Sequence, residues 1–185
     1  MQYPKNRPFF YTNFVQTLDG KVAVKSPGYW PIGSKKDYQV LLELRVKADA
    51  LVHGKNLYKE FGNITAENLK KPSFIKLRRK FGKNPELPYY QATHNLKKMV
   101  QDFLKLGYKR VLVEGGPTLI GSFLKENFLD EIYLTIAPKI FGSDPKKTLT
   151  LVEGILFKPE KIKNFRLVSV KKVGDELFLK YRTIR

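Results

Sequence analysis

R-V-L-V-E-G-G-P-T-L-I-G-S-F-L, Arg110 to Leu124, is the stretch whose reading decides the fold. Val111 to Val113 is a short aliphatic run suited to a strand. Glu114 ends it with one charge. Gly115 and Gly116 allow a tight turn, and Pro117 stands where a helix begins, a place where its missing N–H costs nothing. An apolar helical face follows. The N–H groups at such a helix start carry partial positive charge and suit a phosphate. An ordinary strand-to-helix connection has the same pattern, and G-G-P alone does not choose between the two.

Moving outward, the same arrangement occurs once more upstream. Ala48 to His53 reads as a strand, Gly54 closes it, and Lys55 to Phe61 starts a helical segment. Two such turns on neighbouring parallel strands would face one edge of a sheet, where α/β proteins bind ligands. Further upstream, Phe9 to Gln16 is aromatic and β-branched, a first strand. Thr17-Leu18-Asp19-Gly20 follows as a turn. Gly20 to Ile32 reads as a loop or flap that carries the only tryptophan, Trp30. Ser34 caps a helix from Lys35 to about Lys47. Leu96 to Leu106 has helical spacing and ends at Gly107. Downstream, Leu129 to Pro138 is a strand, and Phe165 to Val173 with Glu176 to Thr183 form a terminal hairpin about Gly174-Asp175. Residues 62 to 94 are the least legible. They offer one short helix, a basic run and at most one short strand near Leu87 to Thr93. The order predicts one α/β domain over residues 1–185, with a mostly parallel sheet and an antiparallel C-terminal hairpin.

Composition narrows the function classes. The chain has 185 residues and 42% hydrophobic content, enough for a core. No run reaches the ~18 apolar residues of a membrane helix, and the N-terminus lacks a signal-peptide pattern, so a cytoplasmic protein is expected. With no cysteine there is no disulfide framework or thiolate zinc site. Two histidines make a His-based metal site unexpected, and no metal is assigned. The net charge of +18 favours anions. The basic residues are spread along the chain rather than set in a nucleic-acid motif, so phosphorylated small molecules are preferred over nucleic acid as partners.

At three blocks the chain resembles the riboflavin-biosynthesis reductases, which form the C-terminal domain of the bifunctional deaminase-reductase and also occur alone. The blocks are T-L-D-G-K-V-A, L-R-V-K-A-D-A-L-V-H-G, and V-L-V-E-G-G-P-T-L-I-G-S-F-L with L-D-E-I-Y-L-T-I-A-P-K-I-F-G, covering roughly 11–56 and 109–142. The resemblance implies a dihydrofolate-reductase-like fold, NADPH as hydride donor, a homodimer, and a phosphoribosylamino-pyrimidine whose open-chain C1′ imine is reduced to a ribityl chain. Carried over residue by residue, it assigns the cofactor to Val15, Trp30, Gly54, Gly115, Gly116, Pro117, Thr118, Leu119, Ile120, Gly121 and Ser122. It assigns the substrate to Asn13, Arg45 and Glu114, Arg45 for the phosphate. Asp19, Glu114 and a bound water stay open as proton donor. Leu129 to Pro138 is the strand expected at a dimer contact.

The chain also departs from the family. Gly54-Lys55-Asn56-Leu57 stands where many members have G-x-x-T, and Lys59-Glu60-Phe61-Gly62 replaces an acidic D-D-P block. The middle is shortened where the family holds the adenosine 2′-phosphate, which leaves the basic run Lys76 to Lys80 as a substitute or the binding weakened. There is no H-x-E or P-C-x-x-C, hence no deaminase domain. Two other readings remain: a reductase of dihydrofolate or a similar pterin, and a non-enzymatic basic relative that binds nucleotide or nucleic acid.

Overall fold

A computed structural model describes residues 4–25 and 31–185. Trp30 and the flap residues beside it lie outside the described residues. A seven-stranded sheet forms the middle layer. Its parallel strands are β1 (Phe9–Gln16), β3 (Ala50–His53), β4 (Tyr89–Gln91), β5 (Arg110–Glu114) and β6 (Leu129–Ile136). The terminal hairpin of β8 (Phe165–Val173) and β9 (Glu176–Thr183) joins antiparallel to β6, giving the order β4-β3-β5-β1-β6-β9-β8. A two-stranded ribbon, β2 (Ala23–Val24) with β7 (Thr148–Leu149), stands apart. The expected mixed α/β sheet is therefore present.

Helices cover both faces, and the alternation of β1 shows which side chains go where. Phe10 packs with Val52, Val111 and Val113 against α4 (Leu96–Lys105) and α5 (Pro117–Lys125). Phe9 and Tyr11 point the other way, with Leu51 and Leu112, against α1 (Lys35–Lys47) and α3 (Pro72–Lys80). Period-2 alternation makes this division obligatory once one face is fixed. Both faces are buried, so the central strands read as continuous apolar runs.

The middle of the chain is helical rather than irregular. The segment expected as one short helix is the single fifteen-residue α2 (Lys55–Leu69). Gly62 interrupts its sequence pattern but is buried against the rings of Tyr58 and Tyr89. The basic run 76–80 belongs to α3, which packs on α1. Its Arg78 is only 1% exposed. Arg78 Nη1 donates to the carbonyls of Arg45, Val46 and Ala48 at 3.1, 3.0 and 2.9 Å, and Nε donates to the Asn84 carbonyl at 2.7 Å. One guanidinium thus serves three carbonyls at the end of α1, of which only that of Arg45 also accepts from a capping N–H, Ala48 at 3.2 Å.

The strand expected at a dimer contact, β6, is internal. Both of its edges are used, by β1 and by β9, and Leu129 to Ile132 are buried within the chain. The sheet instead ends at β8, where Leu167, Val168 and Val170 are exposed.

Candidate functional site

The two glycine turns meet. β3 and β5 are adjacent, with His53 opposite Glu114, so Gly54 and Gly115 leave the sheet side by side. The Gly54 N–H donates to the Glu114 carbonyl at 3.3 Å. A side chain on Gly54 would lie 3.4 Å from the Gly116 nitrogen, so the turns touch backbone to backbone. Beyond them opens a cleft of about 1460 Å³. It is bounded by Phe14 of β1, by residues 54–57, by residues 91–97 after β4, by the start of α5, and by Val22, Ala23 and Leu149 of the ribbon and its flank. Lys55, Lys97, Lys125 and His94 also line it.

Among the residues assigned to the cofactor, Gly54, Gly115, Gly116, Pro117, Thr118, Leu119 and Ser122 line this cleft. Ile120 and Gly121 do not. Ile120 is fully buried in the core, and a side chain on Gly121 would lie 2.8 Å from the Glu153 carbonyl oxygen. Helical period is the reason: 118, 119 and 122 share one face of α5, and 120 and 121 turn away from it. Val15 lies on the opposite sheet face from Phe14 and lines no part of the cleft. The run Lys76 to Lys80 contributes nothing to it either, since α3 is on the α1 side. Residues 91–97 were missed because the strand before them is three residues long. The usable signal was Asn95, whose side chain caps α4 by accepting from the Lys98 N–H at 3.0 Å.

On the α1 face, Arg45 and Glu114 come together. Arg45 Nε donates to Glu114 Oε1 at 2.7 Å and Nη2 to Oε2 at 2.5 Å. His53 Nε2 lies 3.0 Å from Oε2, and Tyr89 Oη lies 2.8 Å from His53 Nδ1. Both charged partners are 7% exposed. Arg45 therefore does not present a free guanidinium to a phosphate; the crossing of α1 over β5 aims it at the carboxylate. Burial opposes the charge on Glu114, but the hydrogen bonds from Arg45 and His53 outweigh it and hold the carboxyl below the usual glutamate range. Asn13, one strand over and in register with Tyr133, buries its side-chain oxygen with no hydrogen-bond partner. Asp19 is spent on the turn: it accepts from Thr17 Oγ1 at 2.5 Å and from the Gly142 N–H at 2.9 Å.

The closed pair predicts a stability effect. Arg45→Met strands a buried carboxylate and should cost about 3–5 kcal/mol at neutral pH, read from urea unfolding. Because the Glu114 carboxyl is depressed in the folded chain, the pair stabilises above the ordinary glutamate value of 4.5 and loses that contribution as pH falls below it. The gap between wild type and variant should therefore narrow in acid.

Residues 64–179, from the middle of α2 to β9, match the family model described as "RibD C-terminal domain". The chain belongs to the RibD C-terminal domain family. The match spans more than half of the chain and takes in both the β4 edge of the cleft and the α5 turn. Among relatives, the riboflavin biosynthesis protein RibD of Aquifex aeolicus is 29% identical over 213 residues, covering 96% of this chain and 58% of that protein. The 2,5-diamino-6-ribosylamino-4(3H)-pyrimidinone 5′-phosphate reductase of Archaeoglobus fulgidus is 22% identical over 220 residues, covering 91% of this chain and 95% of that one. This RibD C-terminal domain chain thus spans little more than half of the first relative and nearly all of the second.

In fold, a pyrimidine reductase-like protein from Corynebacterium diphtheriae superposes with a TM-score of 0.74 at 18% identity, covering 96% of this chain and 92% of that one. Dihydrofolate reductase from Enterococcus faecalis superposes at 0.58 and 13%, covering all of both chains. The fold of this family member is thus dihydrofolate-reductase-like, as the sequence blocks implied.

Proposed function

We propose that this chain is an NADPH-dependent reductase of a phosphoribosylamino-pyrimidine, converting its ribosyl group to the ribityl product. The observation that carries the reading is the pair of touching glycine turns at the mouth of a cleft of about 1460 Å³. The residues fit the cofactor. A side chain on Gly116 would meet nothing within 4 Å, so the backbone there is open to a diphosphate. The first N–H groups of α5 face it, and Thr118 and Ser122 offer hydroxyls from the helix face that lines the cleft. Lys55, Lys97 and Lys125 supply countercharge along the wall. When bound, the reduced nicotinamide supplies a hydride; the chain's part is to hold and orient it and to exclude water.

On the other sheet face, Asn13 offers an unpaired polar atom to the pyrimidine, and the Arg45–Glu114 pair forms the wall beside it. A homodimer belongs to the same proposal, with the β8 edge as the surface a second copy would cover. Light scattering reads that state directly. The enzymatic test uses 5-amino-6-(5-phosphoribosylamino)uracil and its 2,5-diamino-pyrimidinone analogue separately. Loss of the reduced-nicotinamide absorbance with either supports the reading and identifies the substrate. No turnover with both, and no binding of NADPH, would sink it.

A further inference from the structure

The proposed reduction needs a proton as well as a hydride, and the two acids offered by the sequence are poor sources of one. Asp19 is held ionised by the Thr17 hydroxyl and by backbone N–H groups, which keep its carboxyl below the usual aspartate range. Glu114 is locked to Arg45 and His53. A third carboxyl stands on the same face of the sheet. Asp37 lies in the first turn of α1, where its N–H donates to the capping Ser34 hydroxyl at 3.2 Å. The residue is buried, and Gly33 crowds one carboxyl oxygen so closely that any larger residue there would overlap it.

The other oxygen, Oδ1, is buried with no hydrogen-bond partner. Thr135 of β6 lies close enough to the same carboxyl to lower its proton affinity, and is paired in register with Val15 of β1. Two residues back along β1 is Asn13, whose side-chain oxygen is also buried and unpartnered. Asp37 and Asn13 thus lie on the same side of the sheet, near the carboxyl ends of β1 and β6, each with a buried oxygen that has no partner. Each costs about 1–3 kcal/mol when left unpaired, and paired exceptions of this kind mark a place built for a polar ligand.

We propose that Asp37 is the proton donor of the reduction. The inference rests on the reductase reading above. A C–H bond forms at C1′ of the open-chain imine with the hydride of the bound reduced nicotinamide. The C=N π bond breaks, its electron pair moves onto nitrogen, and that nitrogen takes the proton from the Asp37 carboxyl. Asp37 is left as the carboxylate and is reprotonated from solvent, and the nicotinamide is left oxidised by two electrons. The surroundings favour a proton-carrying acid. Burial pushes the carboxyl up; Thr135 opposes this, and the charge of Glu176 adds to it. Glu176, on β9, is the charged group facing Asp37, and it accepts a hydrogen bond from the Ser34 hydroxyl at 2.5 Å. Turnover should therefore fall as pH rises through the value of Asp37.

Asp37→Asn keeps size and polarity and removes the acid. NADPH binding, followed by nicotinamide fluorescence, should stay within a few-fold of wild type. Single-turnover reduction should fall by about 100-fold, the usual contribution of a positioned acid, and the alkaline decline expected of wild type should vanish. Reduction within a few-fold of wild type, or an unchanged alkaline limb, overturns the assignment. A wild-type protein that binds NADPH but reduces neither pyrimidine overturns the reductase reading, and the acid with it. Should the variant not fold, ¹³C-carboxyl aspartate in the wild-type protein reads the group directly. A midpoint for Asp37 above the ordinary aspartate value supports the proposal, and one at or below it overturns the proposal.

Discussion

Gly116→Asp should leave the protein folded and remove most of the affinity for NADPH that the proposed function requires. The backbone at Gly116, φ −65° and ψ 161°, is one that any residue adopts, and an added side chain meets nothing within 4 Å. The fold therefore has no reason to resist the change. The new carboxylate would stand where the first N–H groups of α5 open onto the cleft. Against a diphosphate at ~4 Å, one negative charge near a protein surface costs on the order of 4 kcal/mol before screening. Salt lowers that, so a loss of about 100-fold in affinity is expected at moderate ionic strength. Circular dichroism and a urea midpoint close to wild type, with a fluorescence titration shifted by that factor, are the expected results. Unchanged NADPH affinity would remove this turn from the cofactor site. Gly116→Ala is the control, because it adds bulk without charge and should cost little.

A second large stability effect is expected at a residue with no part in the cleft. Arg78→Met keeps most of the side-chain volume and removes the donor shared by the carbonyls of Arg45, Val46 and Ala48, of which that of Arg45 keeps the Ala48 N–H. A buried backbone acceptor that loses its partner costs about 1–3 kcal/mol. With two stranded at one helix end and a third weakened, a loss on the order of 3 kcal/mol is expected, a large part of the ~5–15 kcal/mol that holds a domain together. Urea unfolding measures it. Arg78→Lys should recover only part of the loss, because an ammonium cannot spread its donors over the same span as a planar guanidinium. The variant should also loosen Arg45, since its own carbonyl is one of the three acceptors.

These two residues show what could be read from the chain and what could not. The turn at Gly115-Gly116 was legible because strand, glycine and helix-start proline occur together, each acting locally. Its meeting with Gly54 followed from reading the two strands as parallel neighbours, β3 beside β5 in the sheet, which puts both turns at the same edge. Arg78 was illegible. In sequence it is one cation in a basic run, and only the end of α1, thirty residues earlier in the chain, makes it a structural donor. Arg45 and Glu114 were read as contacts to a ligand, yet they are 69 residues apart and bonded to each other. Nothing local reports such a pairing. Asp37 was hidden by its ordinary position, an acid in the first turn after a serine cap. What sets it apart is the oxygen left unpaired beside β6, a property of register across the sheet.

The β8 edge gives the chain's strong positive charge a different meaning. An uncovered outer strand offers its N–H and C=O groups to any passing strand, and Leu167, Val168 and Val170 make this one adhesive. Arg166, Lys171 and Lys172 lie on the same strand. These three cations set a condition on the proposed pairing of two copies: each copy brings like charges to the shared edge, so repulsion opposes the contact. The repulsion reaches about 10 Å at 0.1 M salt and only about 3 Å at 1 M. Ionic strength should therefore set how readily two copies meet at this edge.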